Sequence, residues 1–128
     1  METFQRKPRL LFRTEAHPPS VTFDDGKDWR RNLPWLRYAG STWSYADPDV
    51  IRVEIDEWLV VLAGHNLEPL FAAIEGHTLA SIRPHSEWTN TLDRERDSFV
   101  TSIRFVRVSA LTPQAKQKMS NQTGLGLL

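Results

Sequence analysis

The sequence predicts a single α+β domain, in which a small, mainly antiparallel sheet of four to six strands carries one helix on one face. The segment Ile51–Arg83 is the most apolar part of the chain and combines strand-like and helix-like spacing. The 128 residues suffice for one domain with its own core but hardly for two. We expect the domain to span residues 1–110, with its core in 50–108, and residues 111–128 to form a loosely ordered tail.

A β-hairpin is predicted at the centre of this domain. Residues 51–55 alternate between apolar and polar side chains, as in a strand with one buried face. The next run, residues 58–63, is apolar on both faces, which is typical of a strand that is covered on both sides or paired with another subunit. We place the turn at Asp56 and Glu57, because the first pattern stops there and the second begins.

A helix is predicted at Leu67–Glu75, directly after this hairpin. Its apolar residues recur at the spacing of one buried helical stripe: Leu67, Leu70, Phe71 and Ile74. Asn66 is a suitable N-cap, because its side-chain oxygen can accept a hydrogen bond from an amide of the first turn. Gly76 is expected to end the helix in a left-handed conformation.

Shorter strands are predicted on both sides of the central unit. Arg9–Thr14 and Val21–Phe23 precede it, while Thr78–Arg83 and Phe99–Val108 follow the hairpin. The polar and charged residues 84–97 indicate a long exposed loop between the last two strands. In this loop the acids from Asp93 to Asp97 alternate with arginines, which is typical of a solvated face.

The most distinctive stretch of the chain is aromatic and basic and occupies residues 29–45. Pro34 argues against a continuous helix, so we expect an irregular segment or a broken short helix followed by extended chain. The candidate partner-binding residues of this stretch are Trp29, Arg30, Arg31, Trp35, Arg37, Tyr38 and Trp43.

Three interpretations of this stretch are open. Trp, Tyr and Arg are enriched at the energetic centres of protein interfaces, which favours a protein-binding surface. Aromatic rings can also stack on bases while arginines contact phosphates, as in proteins that bind single-stranded nucleic acid. Alternatively, the tryptophans pack on the sheet and the arginines stack over them. The chain has 16 basic and 16 acidic residues, and this balance favours packing over nucleic-acid binding.

No motif indicates a reaction, a cofactor or a metal. The chain has no cysteine, which excludes disulfides, zinc–thiolate sites and cysteine nucleophiles. His17, His65, His77 and His85 lack the spacing of metal ligands. Neither a nucleophile elbow nor a phosphate-binding glycine loop is present. We therefore expect a non-catalytic protein without a cofactor; an enzyme is the third alternative, after protein interaction and nucleic-acid binding.

The chain is expected to be cytoplasmic and to have no membrane partner, because it lacks a long apolar run and a signal-peptide pattern. The predicted function is protein interaction or self-association, for example as a homodimer. It would use the aromatic stretch and the sheet face that a single helix leaves uncovered. The alternative is a nucleic-acid-binding module that uses residues 29–45.

Overall fold

The computed structural model describes residues 7–86, 88 and 91–110. In these ranges, eight strands form two four-stranded sheets, accompanied by one α-helix. The α+β class and the mainly antiparallel pairing are therefore confirmed, with four strands in each sheet and eight in total. The tail expected at residues 111–128 lies outside the described residues.

The first sheet and the second sheet are built from different parts of the chain. In chain order, the elements are β1 (Phe12–Thr14), β2 (Ser20–Asp24), β3 (Arg30–Pro34), β4 (Tyr38–Ser44), β5 (Asp47–Ile55), β6 (Trp58–His65), α1 (Glu68–Glu75), β7 (Leu79–Ile82) and β8 (Phe99–Arg107). The first sheet has the order β1-β7-β2-β3, and the second has the order β4-β5-β6-β8. Strands β2 and β7 pair in parallel, whereas the other strand pairs are antiparallel.

The predicted central hairpin is present as β5 and β6. Its turn lies at Asp56 and Glu57, and Asp56 takes a left-handed conformation with φ 57°. Strand β6 continues through Gly64 to His65, whereas the sequence suggested that it ends at Ala63. It continues because its last residues still pair with β8, beyond a register shift between Ala63 and Gly64.

The predicted helix is present, but its first residues are arranged differently. Leu67 occupies the N-cap position and provides no side-chain cap. The expected cap, Asn66, instead donates hydrogen bonds from its side-chain amide to the carbonyl oxygens of Arg94 (3.0 Å) and Asp97 (2.7 Å). The N-cap prediction is therefore wrong, because this side chain fastens the loop before β8 rather than the helix.

The end of the helix also differs from the prediction. Gly76 has a right-handed conformation with φ −83°, and the left-handed position is taken by His77 with φ 55°. The ring of His77 stacks on Trp35, with centroids 4.6 Å apart. The left-handed conformation, which the sequence predicted for Gly76, thus occurs one residue later, at the residue that makes this tertiary contact.

The aromatic stretch is more regular than the sequence suggested. It forms β3, one 3₁₀ turn at Trp35–Arg37, and β4. Pro34 is the last residue of β3, where it pairs with Ser20. The expectation of an irregular segment or broken helix is wrong for residues 30–34, which form a strand that ends at Pro34, whereas the extended chain expected after it is present as β4. The 3₁₀ turn leads the chain from the first sheet into the second.

The core combines residues from both sheets and the helix. Strand β5 contributes Ile51, Val53 and Ile55, and their partners on the inner face of β6 are Leu62, Val60 and Trp58. The outward residues Leu59, Val61 and Ala63 of β6 do not belong to this core cluster. The second sheet thus has an apolar outer face as well as a buried inner one.

The described positions of the predicted loop before β8 are exposed or half-buried, except at its end. Asp97 is fully buried, so the expectation that the acids of this loop are all solvated is wrong. Its carboxylate pairs with the Arg9 guanidinium, and this partner lies far away in the sequence. The long-range ion pair explains how a charged residue can be buried here.

Candidate partner-binding cleft

The structure divides the seven candidate residues among several places; Trp35 belongs to the core and Tyr38 packs against it. Trp35 is buried, and its indole nitrogen donates a hydrogen bond to the carbonyl oxygen of Leu79 at 3.1 Å. Tyr38 packs edge-on against Trp35, with centroids 5.6 Å apart, and also against His77. These two aromatic residues serve packing, which was one of the interpretations of the sequence.

Three further candidates lie apart from one another. Trp43 packs against Phe71 of the helix, with ring centroids 5.8 Å apart. Arg30 lies on the outer face of the first sheet, because its neighbour Arg31 faces inward and successive strand residues alternate. Arg37 is exposed at the end of the 3₁₀ turn. These side chains do not form one continuous surface.

Trp29 and Arg31 do come together, and two residues from the second sheet join them. The Arg31 guanidinium carbon lies 4.4 Å from the Trp29 ring centroid, 3.9 Å from that of Trp58 and 5.1 Å from that of Phe105. The negative faces of these rings attract the cation and fix its position. The Arg31 Nε is buried and has no hydrogen-bond partner. Among the described residues, these three rings contact the guanidinium.

A cleft of about 690 Å³ opens beside this cluster. Its apolar lining includes Val50, Val61 and Ala63, which are neighbours on the outer face of the second sheet. Strand β8 contributes the four consecutive residues 102–105. The turn between β2 and β3 closes another side with Asp25 and Lys27. We call this feature the cleft; its volume is in the range of sites that bind ligands.

The cleft carries an excess of positive charge. Four basic side chains line it, namely Lys27, Arg31, Arg52 and Arg104, against the single acid Asp25. Strand register explains part of this cluster, because Arg52 and Arg104 flank Val61 from the two sides on neighbouring strands. Within the described part of the chain, no carboxylate forms a salt bridge with any of the three arginines.

The one acid of the cleft is already engaged by the main chain. Asp25 Oδ1 accepts hydrogen bonds from the amides of Lys27 (2.8 Å), Asp28 (2.9 Å) and Trp29 (3.0 Å). These bonds, that of Trp29 first, hold the pKa of Asp25 below its usual value. The carboxylate fixes the turn that presents Trp29, as Asp commonly does in turns.

The cleft runs along the free edge of β8. Successive residues of a strand point to opposite faces, yet the cleft touches both Ile103 and Phe105 of the inner face and Ser102 and Arg104 of the outer one. Strand β8 lies at the edge of the second sheet, with β6 as its neighbour on one side. A ligand in the cleft can therefore reach the backbone of β8 as well as its side chains.

The sequence identified only Trp29 and Arg31 of this site. Arg52, Trp58 and Arg104 were missed because each lies in a separate strand and carries no motif. The sequence did contain one indication, the run 58–63, which is apolar on both faces. It predicted an unusual strand but not which charged residues flank that strand.

Comparison of the chain with known proteins, and a search of the described residues for metal ligands, identify no other site. No family model, curated protein or solved structure matches this chain. Across residues 7–86, 88 and 91–110, no group of three or more His, Asp or Glu side chains could hold a metal ion. In the same ranges, no helix has the length and apolar character needed to cross a membrane.

Proposed function

We propose that this chain is a non-catalytic interaction module that binds a partner protein in the cleft. The main observation is the Arg31 guanidinium, which lies between Trp29 and Trp58 in the cleft and has no carboxylate partner among the residues that the structure describes. Tryptophan and arginine are the residues that most often dominate protein-binding energies. A side chain whose position is already fixed also loses less entropy when a partner binds.

The charge of the cleft favours a different protein over a second copy as the occupant. In a symmetric dimer built on this surface, each cleft would face the same surface of its partner. Arg52 and Arg104 would then approach arginines of the same kind, and such like-charge contacts are costly. A partner that offers carboxylates has no such cost. Homodimerisation, which the sequence suggested, is thus the less favourable form of this proposal.

The cleft also suits a protein better than a nucleic acid. Two of the arginines that the nucleic-acid hypothesis requires, Arg30 and Arg37, lie outside the cleft. The basic residues surround one cavity instead of following a track along which phosphates could bind. The aliphatic residues Val50, Val61 and Ala63 suit apolar side chains of a protein.

Site-specific photocrosslinking tests this proposal. p-Benzoylphenylalanine replaces Ala63, in the apolar part of the cleft, and in a matched control it replaces Leu36, which is 94% exposed and outside the cleft. Irradiation of cells that express the full chain should give a discrete protein adduct from position 63 only. The substitution Arg104→Glu should abolish this adduct, whereas Arg13→Glu, on the first sheet, should leave it intact.

The adduct itself distinguishes the alternatives. An adduct with twice the mass of the chain would indicate a second copy, and an adduct that nuclease removes would indicate nucleic acid; either result contradicts the proposal. The absence of an adduct at position 63, or an adduct that persists in Arg104→Glu, would contradict it as well. An adduct with another protein that depends on Arg104 supports it.

A further inference from the structure

We infer that the segment bound in the cleft is an extended acidic peptide that adds a fifth strand to the free edge of β8. This inference rests on the proposed function, because it names the partner chemistry of the same cleft. It follows from the direction of backbone groups in β8, from the charge of its outer side and from the rings on its inner side.

The backbone of β8 offers hydrogen-bonding groups to the cleft. The amide of Val108, just after β8, donates to the carbonyl oxygen of Glu57 at 2.8 Å. In an antiparallel pair, every second residue turns its backbone groups toward the neighbouring strand and the residues between them turn theirs away. Val108 turns its amide toward β6, so Arg104, an even number of residues before it, does the same. Ile103 and Phe105 alternate with these residues and therefore direct their backbone N–H and C=O groups away from β6, toward the free edge.

These edge groups have no partner in the part of the chain that the structure describes. No main-chain or side-chain hydrogen bond to another described residue engages the backbone of Ile103 or Phe105. Closer to the start of β8, the carbonyl of Val100 accepts from the amide of His85, so the edge is closed there. The open part coincides with the residues that line the cleft. Unpaired edges of this kind are the sites at which peptides add to sheets.

The two sides of β8 require different side chains from such a peptide. On the inner side, Phe105, Arg31 and Trp29 present rings and the guanidinium stacked on them. On the outer side, Arg104 and Arg52 present positive charge. An added strand alternates its side chains between these two sides. The sequence that fits best therefore alternates apolar residues, for the inner side, with acidic residues, for the outer side.

A synthetic peptide provides the direct test. The probe is a fluorescein-labelled eight-residue peptide of alternating Val and Glu, blocked at both ends, and its binding to the full chain is measured by fluorescence anisotropy. Replacement of every Glu by Lys should weaken binding about tenfold or more, since like charges would then meet at the outer side. The substitution Arg104→Glu should weaken binding of the Glu peptide to a similar extent, whereas Arg30→Glu, outside the cleft, should not.

Two N-methylated peptides test strand addition itself. One carries N-methyl groups on all Val residues and the other on all Glu residues, so each blocks the backbone donors along one edge of the peptide. Strand addition uses only one edge, and only one of the two peptides should lose binding. Equal binding of both would overturn strand addition, and equal binding of the Glu and Lys peptides would overturn the acidic requirement.

The peptide and crosslinking experiments together distinguish failure of this inference from failure of the proposed function. If the Val–Glu peptide does not bind while the Arg104-dependent crosslink at position 63 is present, the partner is a protein but not an acidic strand. If both the peptide and the crosslink are absent, the proposed function is itself wrong. Binding of the peptide with selective loss upon one methylation supports both.

Discussion

Arg9 and Asp97 are joined by three hydrogen bonds across a separation of 88 residues. The Arg9 amide donates to Asp97 Oδ1, while its guanidinium donates to Oδ2 at 3.0 and 3.3 Å. The amide of Asp93 also donates to Oδ2. The Asn66 side-chain amide donates to the Asp97 carbonyl oxygen. Asp97 therefore connects the N-terminal segment, the loop before β8 and the start of the helix.

The substitution Asp97→Ala should lower the free energy of unfolding by about 3 kcal/mol, since it leaves buried donors without their charged acceptor. Urea unfolding followed by tryptophan fluorescence measures the change. The matched control is Glu95→Ala in the same loop, whose exposed side chain should matter by less than about 0.5 kcal/mol. Equal stabilities of the two variants would show that the buried carboxylate does not hold these segments together.

The burial of Asp97 could not be predicted from the sequence pattern around it. The alternation of acids and arginines around Asp97 predicted a solvated face, and Glu95 conforms to it. Whether a carboxylate in such a pattern is buried depends on a partner brought in by the fold, here Arg9. Local charge spacing contains no information about that partner.

The substitution Gly64→Ala tests the close approach of β6 and β8. A Cβ at this position would lie 2.1 Å from the carbonyl oxygen of Phe99 and 2.5 Å from Val100 Cα, so the backbone itself would have to move. We expect a loss of about 3 kcal/mol in the free energy of unfolding, or failure to fold. The control is Gly76→Ala, where φ is −83° and the nearest atom is 3.4 Å away.

The control variant should remain within about 1 kcal/mol of the original protein, because alanine accepts this conformation. Circular dichroism with thermal and urea unfolding provides the measurement. A Gly64→Ala protein as stable as Gly76→Ala would mean that the two strands are farther apart than the structure shows.

Stability should also depend on pH through His85. Burial, and after it the charges of Arg83 and Arg9, hold the pKa of His85 below its ordinary value of 6.5. Between the two pKa values the unfolded chain binds more protons than the folded one, so stability rises with pH in this window. The contribution is complete above pH 6.5 and is lost as the pH falls toward the folded-state pKa.

The variant His85→Gln should therefore lose less stability than the original protein between about pH 7.5 and about pH 5.5. Urea unfolding at these two values measures the difference, and the other histidines affect both proteins alike. An unchanged pH dependence in His85→Gln would exclude the proposed protonation effect.

The hairpin and the helix could be predicted from the sequence because their signals are local. Alternation over 51–55 and the helical stripe over 67–74 depend on near neighbours alone. The division into two sheets depends instead on which strands pair, such as the parallel pairing of β2 with β7. The cleft depends on register as well, since a shift of one residue would turn Arg52 and Arg104 to the inner face.

The adjacent residues Arg30 and Arg31 form a natural matched pair for testing the cleft. The sequence treated them alike, but they lie on opposite faces of β3. Arg31→Ala removes the guanidinium between Trp29 and Trp58 and should cost about 1 to 2 kcal/mol of stability. Arg30→Ala, whose side chain is exposed, should cost less than about 0.5 kcal/mol.

Binding should separate the same two variants. Arg31→Ala should weaken the Val–Glu peptide about tenfold, because the inner side of the cleft loses the guanidinium that holds the Trp29 and Phe105 rings in place for the Val side chains, whereas Arg30→Ala should bind as the original protein does. Arg31→Lys retains the charge without the planar group, so it should recover part of the affinity and little of the stability. Equal effects of Arg30→Ala and Arg31→Ala on both measurements would show that general positive charge, rather than the guanidinium held between two tryptophans, determines binding.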